Sequence, residues 1–569
     1  MGRGEGRGCG GSPPGFQQDG RGVKESYRIA LDAALCLANT VGGSVVFGVV
    51  DDAAGAAALV GSGLDPVEVR RYVHDNTRPQ LLVEVVEHEF RGHRLVVLVV
   101  EADQELYCDN RGRAPHRIGT ECVGMDPATQ QRVREERRGF DPSAAPAPDE
   151  AVDPVAVARA RQRLQASLRP ERAGLAKLSD EDLLRALGVS DAAGRLLDAG
   201  HRLVGIDGVQ VLYTHRESPG GEPRVVERLT GSLLVVYDRV MALVSLRRQL
   251  TPVTLPDGQQ LQVEDFPELA VREAIGNAMI HRDYRLSGPV VIEHSPSVLV
   301  VTSPGPLVAG VTVDNILTHP SKPRNRVLAG AVRTLELAEE VGRGVDRMYR
   351  EMIRSGRPTP TIEATFEQVR VALFGGAPNI NIARYVAQVD PGVRDDTDAM
   401  IVLLRLCTTR TVNAGQLAPL LQKSVPEAEA SLRHLASEPV AMIEPTRQSI
   451  RAAHPNYRFR EGTVKQLGSA VPYARHTSDE LDPRVVAHVH EYGRITNATV
   501  QNLFNVSMPR ARQILAGLVD RKILIKTSKA QRGPTVEYGP GAHLPPRTTR
   551  KRARRSPAPD PDQPTLPMD

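Results

Sequence analysis

The run Val271-Arg272-Glu273-Ala274-Ile275-Gly276-Asn277-Ala278-Met279-Ile280-His281-Arg282-Asp283-Tyr284 constrains the chain most. It follows Phe266-Pro267, and a proline suits the first turn of a helix. Glu273, Asn277 and His281 are spaced i, i+4, i+8, so in a helix they share one face. Leu269, Ile275, Ala278 and Met279 cover much of the remaining surface with apolar groups. A polar stripe on an otherwise apolar helix borders either a polar cavity or water. The apolar flanks argue for the cavity.

One core cannot hold all 569 residues, and roughly three to five domains are expected. Hydrophobic residues make up 41% of the chain, enough for globular folding, but aromatics are 4% and Trp is absent. Leu, Val and Ala must fill the cores, and platforms for stacking single-stranded bases are few. The 72 basic residues nearly balance 68 acidic ones, for a net charge of +4. That balance does not mark a nucleic-acid binder by itself; local clustering must decide. Cys9, Cys36, Cys108, Cys122 and Cys407 are odd in number and scattered, with no Cys-x-x-Cys. Neither a disulfide framework nor a zinc site is signalled, which fits a reducing cytoplasm. No apolar run approaches a membrane span, and the Gly/Arg-rich start is not a signal peptide.

Residues 1–20 are Gly-, Arg- and Pro-rich and read as disordered, a misassigned start being the alternative. Residues 21–140 read as an α/β domain. Glu25 to Asn39 has helical spacing, Gly42-Gly43 closes it, and Ser44 to Val50 is a buried strand. Leu81–Glu89 and His93–Glu101 are strands joined at Arg91-Gly92. Residues 141–154 form a Pro/Ala/acidic linker. Residues 155–265 are a helical and α/β connecting region that includes a long amphipathic helix expected over Arg228–Leu250. Residues 266–376 hold the opening helix, strands at Val290–His294 and Val298–Thr302, and a tight Ser303-Pro304-Gly305-Pro306-Leu307 loop. A short helix is expected over Val313–Leu317, then a helix from Val327 to Leu335 and closing strands to Phe374. The fold class expected is α/β multidomain.

In the first domain, Lys24-Glu25-Ser26 and Leu37-Ala38-Asn39-Thr40-Val41-Gly42-Gly43, followed by Ser44 to Val49, resemble the Schlafen-type AlbA-like DNA-binding domain. Tyr107, Arg111 and Arg117-Ile118-Gly119 resemble that family's later strand. The resemblance implies DNA as partner. Some Schlafen relatives are RNases that use acidic residues near this start, but Gly22 and Gln17 stand at those positions. Two carboxylates would be needed to hold a catalytic metal, so nuclease activity is not expected unless Asp19, Glu25, Asp51 and Asp52 regroup. Read locally, Asn39 and Gly42-Gly43 are a plain helix C-terminus.

From Arg272 to Leu373 the chain resembles the RecG C-terminal-like ATP-binding domain, of the gyrase/Hsp90/histidine-kinase/MutL superfamily. The resemblance rests on an ordered set: Arg272-Glu273, Asn277, His281-Arg282-Asp283-Tyr284, Pro304-Gly305, Pro323-Arg324-Asn325 and Gly342-Arg343-Gly344. It implies a Bergerat-type α/β sandwich with ATP and Mg as cofactors. Asn277 would contact Mg beside the phosphates, and Glu273 would position water in a hydrolytic member. His281, Gly305, Lys322, Arg324, Asn325, Gly342 and Gly344 are the further cofactor-binding candidates. Asn offers a neutral oxygen to a hard cation, and a held Glu can accept a proton from water. Glycines let backbone N–H groups approach phosphate at a helix start, and Lys322, Arg324 and Arg326 could add positive charge. Ser303 stands where the superfamily's adenine-reading Asp is expected, and the second glycine box is shortened. Without a Walker A motif, no helicase is implied.

Residues 397–465 and 480–540 each read as three short helices and a β-hairpin, the plan of a winged helix-turn-helix. In the second, Arg510, Arg512 and Gln513 lie early on the third helix, where major-groove readers project side chains. Lys526, Lys529 and Arg532 sit in or beside the wing, where phosphates are contacted. Glu427 and Glu429 occupy the corresponding place in the first unit, where they would repel DNA, so that unit reads as degenerate or protein-contacting. Residues 541–569 are a basic tail whose Arg547–Arg555 run attracts phosphate non-specifically.

The reading is a cytoplasmic, nucleotide-sensing DNA-binding protein that regulates transcription. DNA and a nucleotide are its partners, a homo-oligomer is an option, and no membrane is involved. One alternative is an enzyme, at most a weak ATPase or a nucleic-acid-processing activity in defence against foreign nucleic acid. Another is a non-catalytic interaction protein with a vestigial nucleotide pocket.

Overall fold

A computed structural model describes residues 15–17, 22–40, 42–50, 55–101, 105–118, 121–148, 151–337, 344–471, 485–486, 488–490, 492–504, 508–528 and 536–545. The chain divides into two units, Met1–Ala470 and Val471–Asp569. Mixed α/β architecture, as expected, fills the first.

The N-terminal module runs β1 (Gly15–Gln17), α1 (Val23–Ala38), β2 (Gly43–Phe47), α2 (Pro66–Asp75), β3 (Thr77–Arg78), β4 (Glu84–Phe90) and β5 (His93–Val100). It continues through β6 (Cys108–Asp109), β7 (Pro115–Ile118), β8 (Glu121–Gly124) and α3 (Pro127–Arg137). Its main sheet has the order β1-β2-β5-β4, with β1 parallel to β2. A strand at Gly15–Gln17 corrects the expectation of disorder across residues 1–20, because its backbone pairs with Val45–Phe47; residues 1–14 and 18–20 lie outside the described residues. Helix α1 buries Ala30, Ala34, Leu35 and Ala38 against Val96 and Leu98.

Asn39 does more than end that helix. Its Nδ2 donates to the carbonyls of Tyr107 (2.8 Å) and Pro115 (2.9 Å), and its Oδ1 accepts the Tyr107 N–H (2.9 Å). Thr40 Oγ1 accepts the Arg117 N–H, and the buried Arg137 guanidinium donates to Ala38 O. Asn39 and Thr40 are therefore a staple joining the end of α1 to the strands that follow Tyr107. A second correction is the disulfide Cys36–Cys122, with Cα atoms 6.0 Å apart across 86 residues of sequence. Spacing carries no sign of it; the packing of α1 beside the β7–β8 hairpin brings the two together.

The connecting region supplies α4 (Pro154–Ala166), α5 (Pro170–Leu175), α6 (Asp180–Ala186), α7 (Asp198–Val204), β9 (Val209–Arg216), β10 (Pro223–Gly231), α8 (Leu233–Ser245), β11 (Leu250–Thr254) and β12 (Gln260–Glu264). The long helix expected over Arg228–Leu250 is thus a strand followed by a shorter helix. Arg228 and Leu229 pair with Leu212 and Val211 of β9, and the Ser232 side chain caps α8 through the Val235 N–H. Next come α9 (Glu268–Ile280), β13 (Val290–His294), β14 (Val298–Pro304), α10 (Arg326–Thr334), α11 (Gly344–Arg354), β15 (Thr361–Ala364) and β16 (Gln368–Phe374). The six-stranded sheet has the order β10-β9-β13-β14-β16-β15, antiparallel except for the β9–β13 pair. Two of its strands therefore come from the connecting region, so residues 155–265 and 266–376 share one sheet and one core. Residues 313–317 form hydrogen-bonded turns and not a helix: the chain closes by i+3 bonds at Asn315 and Thr318, without the repeating i+4 ladder.

The unit ends with α12 (Ile380–Gln388), α13 (Pro391–Arg394), α14 (Thr397–Thr408), α15 (Ala414–Leu421), α16 (Val425–Ala436), the antiparallel pair β17 (Ile443–Pro445) and β18 (Tyr457–Phe459), and α17 (Glu461–Leu467). Here the expectation for Glu429 is corrected. Glu427 completes the capping box with Ser424, and Glu429 is buried, accepting from Tyr457 Oη (2.9 Å) and Arg433 Nε (3.2 Å). Both hold α16 in place, and of the two only Glu427 keeps its carboxylate exposed.

In the second unit, a three-stranded sheet (Ile495–Thr496, Leu524–Lys526, Glu537–Pro540) joins helices Asn497–Phe504 and Met508–Asp520. Their core includes Val485, Val489, Ile495, Val500, Leu515 and Leu518. Among the described residues no helix is long and apolar enough to cross a membrane. Removing the staple tests the first module. Asn39→Ala removes three buried hydrogen bonds, a cost of about 3 kcal/mol, expected as lost hydrogen-exchange protection throughout α1.

Candidate functional site

Helix α9 is buried on nearly every side. Ala270, Val271, Ala274, Ile275, Met279 and Ile280 enter the core, with β14 and β16 on the sheet side and α8, α10 and α11 alongside. That enclosure leaves the polar stripe one place to face. Glu273, Asn277 and His281 line a cavity of ≈ 180 Å³, together with Gly305, Lys322 and Gly344. Its lining also has an apolar part, with Val301 of β14, Val369 and Val371 of β16, and Val308, Val311 and Ile316 of the loop after β14.

Each polar group in the cavity has a distinct environment. Glu273 is buried, and burial raises its carboxyl above the usual range, against the pull of Arg347 and Arg272. Arg347 Nη1 lies 3.5 Å from its Oε1. A Cβ on Gly344 would collide with Glu273 Oε2 and reach 3.4 Å from Asn277 Nδ2, so a larger residue where α11 begins would displace the Glu273 carboxyl. His281 ends α9, donating its N–H to Asn277 O (2.9 Å). Burial, and then Arg324, push its imidazole down to about 4, so near pH 7 it is a neutral hydrogen-bonding group. Gly305 has φ 103°, and its Cβ would stand 2.7 Å from Asp283 Cβ. Both facts require glycine. Ser303 lines the cavity, and its hydroxyl donates to Ala278 O (2.7 Å), tying β14 to α9.

Two candidates stand elsewhere. Arg324 is buried behind the wall, donating to Asp283 Oδ2 (2.9 Å) and Pro306 O (2.8 Å), with Glu136 Oε1 at 3.2 Å. Asn325 is also buried, and its Nδ2 donates to Ile280 O and Arg282 O. Neither lines the cavity. Arg282 donates to Leu286 O and Gly288 O, and Tyr284 Oη to Met279 O. The His-Arg-Asp-Tyr run is therefore a knot that closes the end of α9. Arg326 turns away, donating to Gly139 O. Gly342 lies outside the described residues.

Arg333 of α10 lines the cavity and was not among the sequence candidates, nor was Arg347. The signal existed for Arg333: it stands one turn after Ala329, another cavity residue, on the same face of α10.

In the second unit, Arg512 and Gln513 are exposed on Met508–Asp520, whose Ala511, Ile514 and Leu515 face the core. Lys526 is exposed at the end of its strand. The Arg510 side chain, Lys529 and Arg532 lie outside the described residues, as do Asp19, Asp51, Asp52 and the basic run Arg547–Arg555.

Comparison with known families matches residues 17–126 to the family described as "Schlafen, AlbA_2". Residues 288–373 match the family described as "Putative ATP-dependent DNA helicase recG C-terminal". The chain thus joins a Schlafen AlbA_2-type segment to an ATPase-like one. The second match begins after α9, so it includes Gly305, Lys322 and Gly344 but not Glu273, Asn277 or His281. A crystal structure of the DIP2311 protein from Corynebacterium diphtheriae is similar along nearly the whole chain. Sequence identity is 25%, the TM-score is 0.51, and the match covers 93% of this chain and 94% of that one. No curated protein matches.

The Glu273 environment has a pH signature. Its folded pKa is raised above the ordinary 4.5, so its stabilising contribution is full below that value and is lost as pH rises through the folded pKa. Glu273→Gln should therefore melt at a higher temperature than wild type at pH 7.5, with the gap closing as pH falls to 4.5. A thermal series across that range reads it.

Proposed function

We propose that this protein is a nucleotide-sensing, DNA-binding regulator of transcription. In this reading the cavity beneath α9 takes a nucleoside triphosphate with Mg. The convergence of Glu273, Asn277, His281, Gly305, Lys322 and Gly344 on one cavity carries the reading. Those positions span more than one helix and loop, and a common face is not an outcome of local sequence. The apolar wall suits a base, and the polar end suits phosphates. The donor set also fits the metal: Asn277 offers an amide oxygen, and phosphate oxygens and water would complete the shell of a Mg ion. Bound there, the ion would neutralise phosphate charge. Lys322 and Arg333 would add positive charge, and neutral His281 would donate or accept one hydrogen bond.

Binding without rapid hydrolysis is the form of the reading that the Glu273 environment favours. One of its carboxyl oxygens faces Arg347 at 3.5 Å, a partner that competes with water for that oxygen. The domain limits that follow are 21–140 for the AlbA-like module, 266–376 for the nucleotide module with strands lent by 155–265, and 480–540 for a DNA-reading winged helix. Arg512, Gln513 and Lys526 would contact DNA there, together with the AlbA-like module.

Calorimetry with Mg-ATP and Mg-ADP tests the cavity. Wild type should bind both, and Asn277→Ala should bind about tenfold or more weakly, the loss expected for one charge-assisted contact. No heat with wild type would reject the reading. Filter binding to duplex DNA tests the second unit: affinity should fall steeply with salt, and Arg512→Ala should weaken it by about tenfold.

A further inference from the structure

The loop after β14 forms a wall of the cavity through Leu307, Val308, Val311 and Ile316, and two other parts of the chain grip it. At one end, the Ala309 N–H donates to Glu136 Oε2 of α3 (3.1 Å), and the same carboxylate is 3.2 Å from Arg324. At the other, Gln422 reaches in from the turn between α15 and α16. Its Oε1 accepts the Leu317 N–H (2.7 Å), its Nε2 donates to Val313 O (2.7 Å), and its carbonyl accepts from Thr318 Oγ1 (3.1 Å). One glutamine thus satisfies both a donor and an acceptor of the loop backbone.

The grip is rigid on its own side. Gln422 adopts φ 55°, a left-handed C-cap that ends α15. The next residue, Lys423, is paired with Asp398 of α14 at 2.5 Å, and Ser431 donates to the same carboxylate. Between the anchors the loop is braced by Asn315, which accepts the Thr312 N–H and donates to Gly310 O. In a DNA-reading helix-turn-helix this turn lies beside the nucleic acid; here it holds the cavity wall.

We propose that residues 309–318 are a strap clamped at two points, by Glu136 and by Gln422, through which filling of the cavity is felt by α3 and by the α14–α16 unit. The α15–α16 turn of that unit has this strap as its partner. Gln422 is a positioning residue: it keeps the apolar wall formed before a ligand arrives. The coupling rests on the cavity being the nucleotide site; the clamp itself does not.

Hydrogen exchange on the full chain separates the two. Without ligand, Gln422→Ala should speed exchange at the Leu317 amide by about tenfold, and Thr318→Val, on an exposed side chain, should act in the same direction more weakly. A loosened wall reduces the binding-competent population, so Gln422→Ala should weaken Mg-ATP by about three- to tenfold. In wild type, saturating Mg-ATP should slow exchange in 309–318 and also in 127–137 and 414–424. Unchanged Leu317 exchange in both variants would overturn the clamp. Protection confined to 309–318 would overturn the coupling. If Mg-ATP binds nowhere on wild type, the nucleotide reading and the coupling fail together, while the ligand-free exchange still decides the clamp.

Discussion

The buried pair of Asp283 and Arg324 is the constraint on which the cavity depends. Both side chains are almost wholly removed from water. Burial alone would push the Asp283 carboxyl up, but Arg285 and Arg324 outweigh it and hold the group below the usual range. The pair joins four separate pieces: the turn after α9, the end of β14 through Asp283 N–H and Pro304 O, the segment leading into α10, and α3 through Glu136. Such a pair adds little over well-packed apolar groups, yet losing one partner strands a buried charge at about 3–5 kcal/mol. Its value here is therefore geometric. It sets where Gly305 turns, and with it where the cavity wall begins.

Around that node, the stripe on α9 gains its meaning from enclosure. Beyond its first turn this helix is packed by a sheet and three helices, so polar groups there are tolerable only where they meet a cavity or a partner. Asn277 and His281 meet the cavity, whereas Glu273 meets both the cavity and Arg347. This division separates binding from turnover. The Asn277 amide does not titrate, while one carboxyl oxygen of Glu273 faces Arg347 at 3.5 Å.

Much of this was legible in the sequence, and the failures have physical causes. The period of the apolar residues around Glu273, Asn277 and His281 was enough to place α9 and its stripe, because helical geometry is local. Gly305 and Gly344 were legible as glycines, although their reasons, contact with Asp283 and with Glu273, are tertiary. Arg324 and Asn325 show the limit of a motif: their side chains turn into a knot behind the cavity, and nothing in Pro-Arg-Asn says which way. The Arg228–Leu250 helix was misjudged because Arg228-Leu229-Thr230 carries strand alternation that only pairing with β9 reveals. The same holds for the Cys36–Cys122 bond and for Glu429, whose burial under Tyr457 reverses the role its charge suggests.

Locating the nucleotide on the chain tests the central claim most directly. Photolabelling the full protein with Mg and a base-azido ATP, followed by peptide mapping, should mark residues within 299–323 or 362–371, the apolar wall of the cavity, and excess ATP should abolish the label. Label elsewhere on the chain, or label that ATP does not displace, would contradict the account.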